Sequence, residues 1–235
     1  MINTIGELIE RIQSLHSKGV SSDDSRLSGR HIYSVLKSTR NYLITQQVKK
    51  RQVISDWNYV VLPCVELIKV PSHDCPCIPN LGCQVYRTKF MLPKILTDLN
   101  KHLIKWVMSI DSGKMISETS REAYIYSSGN KMTGQNPQYI LENGYLFLYG
   151  KDIPRLLKIK LLPENIDDAY TFPSYCECVD CEEECVGIQD KPFPIDSDMI
   201  KPLIEMSIVE LLEWFSKGDE DNTNDTSDTN DKNRQ

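Results

Sequence analysis

The residues best equipped for chemistry are the 8 cysteines. Seven form two clusters: Cys75, Cys77 and Cys83, then Cys176, Cys178, Cys181 and Cys185; Cys64 stands apart. Four thiolates at short spacings suit tetrahedral zinc. Cys178-Val-Asp-Cys181 has such a spacing, and Cys176 and Cys185 complete a four-thiolate set. The flanking Glu177, Asp180, Glu182, Glu183 and Glu184 act against it, because negative neighbours keep thiols protonated until a cation arrives. Zinc there would be a structural staple. The expected state is instead reduced thiols in loops, two of which can pair in an oxidising exterior, so no cofactor is expected.

Catalytic patterns are missing. The chain has no GxxxxGK[ST], GxSxG, HExxH or GxGxxG. His16, His31, His73 and His102 are scattered, and acidic pairs such as Asp167-Asp168 have no evident partner. No catalytic residue is assigned, and the chain is expected not to be an enzyme.

Charge narrows the partners. The net charge is −6, but Asp219–Gln235 holds six acids against Lys232 and Arg234, which leaves the body at −2. A nearly balanced body is not the composition of a dedicated nucleic-acid binder. No run approaches the ~20 apolar residues of a membrane-spanning helix, and the N-terminus lacks a secretory pattern. A cytosolic folding environment and no membrane partner are expected.

The elements that would position these residues begin with a helix from Asn3 or Thr4 to about Ser17, with Ile5, Leu8, Ile9, Ile12 and Leu15 on one stripe. A polar break precedes a long helix over Ser25–Arg51, capped by Ser25 or Asp24. Ile32, Val35, Leu36, Thr39, Tyr42 and Leu43 project on one face; Arg26, Arg30, Lys37, Arg40 and Arg51 form a basic stripe on another. Strand signals follow at 58–70, interrupted by Pro63, and at 84–89. Pro93–Met108 carries apolar residues at helical spacing and predicts a helix with Pro93 in its first turn, a strand near its end being the alternative. Strands return from Met115 to Leu162, with Asn143-Gly144 a tight-hairpin signal. Ser197 or Asp198 starts a last helix to Lys217, apolar around most of its circumference and so expected to be buried on several sides; Ile204, Ile208, Leu211 and Phe215 are its packing residues.

The expected class is α+β. N- and C-terminal helices form a bundle with an inserted antiparallel β-domain, a small sandwich or barrel, and an acidic tail that is disordered or docked on a partner. The corresponding segments are 1–52 (helical hairpin), 53–190 (β-rich, with one helix near 93–108), 191–218 (C-terminal helix on the N-terminal helices) and 219–235 (tail).

Three stretches carry a resemblance: SSDDSRLSGRHIYSVLKSTRNYLITQQ, HDCPCIPNLGCQVYRTKFMLP, and KPFPIDSDMIKPLIEMSIVELL followed by the Asn/Asp/Thr tail. Together they resemble the virion neck proteins of crAss-like tailed bacteriophages, the ring or head–tail connector components beneath the portal. The resemblance implies a structural protein in a homo-oligomeric ring of twelve copies, assembled in the host cytoplasm and located in the virion neck. It implies the portal and adjacent neck or tail rings as partners, and genomic DNA passing without sequence readout. The basic stripe would then face a neighbour or the channel. From the residues alone, a zinc-stapled cytosolic adaptor using its basic helix stays open as the alternative.

Overall fold

Thr4 starts the first helix, α1 (Ile5–His16), with a reciprocal cap. Its side-chain oxygen accepts the Glu7 N–H at 3.2 Å, and its own N–H donates to Glu7 Oε2 at 2.9 Å. Ile5, Leu8, Ile9 and Ile12 are buried along one face, as the spacing predicts, while Leu15, the last residue of the expected stripe, is 54% exposed. The second helix, α2 (Gly29–Lys49), is capped by Ser28, whose hydroxyl accepts the His31 N–H at 3.3 Å. Its start therefore lies one turn beyond the expected Ser25 or Asp24, and it stops short of Arg51.

The computed structural model describes residues 3–17, 27–71, 84–98, 101–120, 122–124, 136–175 and 187–220, with 84 and 214–220 described by backbone alone. The chain divides into two units, residues 1–50 with 185–235, and residues 51–184. The acidic tail beyond Glu220 and the zinc candidates Cys176, Cys178, Cys181 and Cys185 lie outside the described residues.

The second unit is a closed barrel. Its strands are β1 (Val60–Pro71), β2 (Gln84–Thr88), β5 (Ile104–Ser109), β6 (Met115–Glu118), β7 (Gln138–Glu142), β8 (Tyr145–Tyr149) and β9 (Leu156–Leu161), while β3 (Thr97–Asp98) and β4 (Lys101–His102) form a separate ribbon. The barrel order is β1-β2-β8-β7-β6-β5-β9, with β9 pairing back onto β1. Every neighbour is antiparallel except β6 and β7, which run parallel. Strand alternation sends Leu62 and Leu67 of β1, Val107 of β5, Leu146 and Leu148 of β8, and Leu157, Ile159 and Leu161 of β9 into one buried cluster. Closure leaves the barrel, among the described residues, without an edge strand to template aggregation.

Two local signals set the strand geometry. Pro63 cannot donate to a ladder, and the β1–β9 register shifts between Leu62 and Val65, a bulge that absorbs it. Asn143 and Gly144 take φ of 51° and 78°, the left-handed pair that a two-residue hairpin between β7 and β8 requires.

The expected helix at Pro93–Met108 does not form. Its C-terminal half is β5, paired with β9 through Val107↔Ile159 and Met108↔Lys158. Ile104, Trp106 and Val107 suit a pleated surface as well as a helix face, and pairing with a strand fifty residues away decides between them. Cys64, expected to be a reduced thiol, is disulfide-bonded, its partner lying outside the described residues. The Tyr175 N–H donates to the Cys64 carbonyl at 3.0 Å, which holds Tyr175 beside β1.

One ion cluster ties the approach to β1 to the barrel wall. Asp56 accepts from Lys105 and lies 3.4 Å from the Lys160 ammonium. The hydrogen bond from Lys105 chiefly, with Lys160 adding to it, holds the Asp56 carboxyl below its usual range. A carboxyl with a lowered folded pKa adds stability above its unfolded pKa and loses it as pH falls through the folded value. The thermal midpoint of the wild-type barrel should therefore exceed that of Asp56→Asn at neutral pH. The gap should close with acidification below about pH 4. A gap that persists unchanged at pH 2 would show that charge is not its source.

After β9 come a short helix, α3 (Ile166–Tyr170), capped by Asn165, and then the last helix, α4 (Ser197–Glu220). The lead into α4 is tied to the N-terminus: the Ile5 N–H donates to the Lys191 carbonyl at 3.0 Å and the Phe193 N–H to the Asn3 carbonyl at 2.9 Å. Helix α4 packs on α1 and α2, joining the two ends of the chain in one helical unit. Among the described side chains, one side of α4 is covered: Met199, Leu203, Ile204, Ser207 and Leu211 are buried, while Met206, Val209 and Leu212 are exposed. The expectation of burial on several sides is thus corrected for the described side chains. Two helices cover about one face of a third, which leaves Met206, Val209 and Leu212 outside.

Candidate subunit interface

Helix α2 buries Ile32, Leu36, Arg40, Ile44 and Val48, a row spaced by four, together with Val35 and Thr39. Each step of four residues drifts by about 40° around a helix with 3.6 residues per turn. The covered face therefore winds around α2, as an i±4 ridge does when it packs into a neighbour's groove. A straight projection misses this drift. It placed Tyr42 inside and Arg40 outside, yet Tyr42 is 52% exposed and Arg40 is 0% exposed.

One member of the basic stripe, Arg40, is withdrawn from the surface. Arg26 lies outside the described residues. Arg30 is exposed in the first turn of α2, and Lys37 is half-buried with its Nζ 4.7 Å above the centre of the Tyr33 ring. Arg51 follows the end of α2 with φ of 54° and belongs to the barrel unit. Arg40 is a buried structural group. Its Nε donates to the Pro194 carbonyl at 2.8 Å and its Nη1 to Asn41 Oδ1 at 3.1 Å. Of the predicted packing residues, Ile204 and Leu211 are buried, Ile208 is half-buried, and the Phe215 side chain is outside the description.

A polar seam links α2 to α4. The Ser207 hydroxyl donates to Thr39 Oγ1 at 3.4 Å, and the Thr39 hydroxyl donates to Glu210 Oε2 at 3.5 Å. Beside the seam, a groove of about 550 Å³ runs between the two helices. Tyr42, Met206 and Val209 supply its apolar lining; Glu205, Glu210 and Glu213 supply its carboxylates. Such a groove accepts an aromatic or aliphatic group flanked by cations. Sequence reasoning missed it by assigning all apolar residues of α4 to burial. The available signal was the three glutamates, which fall within an arc of about 140° around Val209 and mark the solvent side. Among the described residues, no group of three or more His, Cys, Asp or Glu side chains could hold a metal ion, and no described helix is long and apolar enough to cross a membrane.

A family model described as phage tail ring protein 2 matches residues 7–232. Ring protein 2 of Bacteroides phage crAss001 is 29% identical over 227 residues, covering 93% of this chain and 95% of that protein.

Proposed function

Because the chain belongs to the phage tail ring protein 2 family, we propose that it is a structural subunit of a homo-oligomeric ring in the neck of a tailed phage, between portal and tail. The observation that carries this is the match along residues 7–232, nearly the whole chain. The groove and exposed apolar face of α4 support it, since a subunit that closes a ring must keep apolar surface for its neighbours. The family displaces the zinc-stapled adaptor. It also accounts for a chain without a catalytic constellation: the subunit is structural and not an enzyme.

The finer points belong to the same proposal. The ring has twelve copies to match a portal, contacts the portal and the adjacent neck or tail rings, and surrounds the channel through which the genome passes. It is assembled in the host cytoplasm and retained in the virion. DNA is accommodated without sequence readout, because a channel needs diffuse charge and tight phosphate binding would stall passage. With Arg40 buried, Arg30, Lys37 and Arg51 remain the described cations from the stripe that can face a neighbour or the channel.

Negative-stain images and native mass of the purified full-length chain test the ring, and images of virions labelled on this protein test its place. Closed rings of about twelve copies, and label at the neck, are expected. A chain absent from purified virions would overturn the assignment.

A further inference from the structure

Resting on the ring reading, we infer that the groove between α2 and α4 is the subunit contact, and that it receives the Arg30–Tyr33–Lys37 face of a second copy. The two surfaces are complementary in chemistry. The groove offers Tyr42, Met206 and Val209 beside three carboxylates; Met206 is 38% and Val209 56% exposed. The other surface offers the Tyr33 ring with Lys37 above it and Arg30 exposed one turn before. An aromatic edged by cations fits an apolar strip edged by carboxylates.

The placement excludes self-docking. Both surfaces include α2, and Tyr42 lies about 150° around that helix from the Arg30–Tyr33–Lys37 face at 100° per residue. One rigid helix cannot turn its own face into a groove on its other side, so the occupant must come from another copy. Two different, complementary faces on one subunit make a heterologous contact, in which each copy receives one neighbour and enters the next. Such contacts repeat around a ring until it closes. The partner is therefore this chain itself, and Arg30 and Lys37 are contact residues in place of channel-lining ones.

Charge reversal on each face, and then on both, tests the contact. All four positions lie on helix surfaces: Glu205 and Glu213 are exposed, Arg30 is exposed, and Lys37 is half-buried. Like charges would meet at every contact in the full-length variants Glu205→Lys/Glu213→Lys and Arg30→Glu/Lys37→Glu. Each should lower the ring fraction about tenfold or more at matched concentration, measured by native mass and sedimentation. The variant carrying all four reversals should recover rings, because opposite charges face each other again. That recovery also shows that neither pair of changes acts by unfolding the chain. Rings left intact by both two-residue reversals would overturn the contact while leaving the ring reading standing. A four-residue variant that stays dissociated would overturn the pairing of groove with Tyr33 face. A wild-type chain that forms no ring, alone or in virions, would count against the ring reading and overturn this contact with it.

Discussion

Replacing Arg40 with alanine should destabilise the helical unit by about 3–5 kcal/mol, a large share of the stability of an ordinary domain. Two losses add. The Pro194 carbonyl loses a charged donor at 2.8 Å in a fully buried setting, and an unsatisfied buried acceptor costs about 1–3 kcal/mol. The vacated volume forfeits the packing of a fully buried arginine stem, comparable to a large-to-small core change. Arg40→Lys should recover only part of the loss, because an ammonium on a different stem cannot reproduce the planar Nε–H and Nη–H directions. Arg30→Ala, at an exposed position of the same helix, should leave the stability of the unassembled subunit within about 0.5 kcal/mol of wild type. Denaturant unfolding followed by helical circular dichroism measures all three. Equal midpoints for Arg40→Ala and Arg30→Ala would show that the buried arginine does not hold the unit together.

Leu211→Asp should cost about 4 kcal/mol or more, while Leu212→Asp, one residue on, should leave stability nearly unchanged. Leu211 is 1% exposed and Leu212 51% exposed. The first change removes a buried leucine, about 2–5 kcal/mol by itself, and places a carboxylate where water cannot reach it. The second puts a charge in solvent. Ile208→Asp should fall between them, since Ile208 is half-buried. Unfolding curves for the three variants check the ordering. If Leu211→Asp and Leu212→Asp shift the midpoint equally, the covered face of α4 has been assigned to the wrong side.

Local chemistry made much of the architecture legible. Thr4 and Glu7 mark the start of α1, Asn143-Gly144 marks the β7–β8 hairpin, and Pro63 marks the irregular point of β1. Each acts within a few residues, so each can be read from the chain. The α+β class, with helices at both ends and strands between, follows from the same periodicities. The three stretches that resemble phage neck proteins agree with the family that residues 7–232 match.

Tertiary structure decided what depends on distant partners. Residues 104–109 carry a pattern that fits helix or strand, and β9 supplies the pairing that makes them strand. Closure of the sheet into a barrel, including its one parallel pair, also follows from contacts far apart in sequence. The basic stripe of α2 stands as a projection, but one of its members, Arg40, is not on the surface. Packing in rows of four turns the covered face steadily around the helix, which brings Arg40 inside to meet the Pro194 carbonyl and leaves Tyr42 outside. The same limit hid the groove: a wheel of α4 counts apolar residues, but only its neighbours determine how many are covered. Residue types and spacing determined which elements form. The helix or strand packed against each element decided which of its faces remains for another molecule.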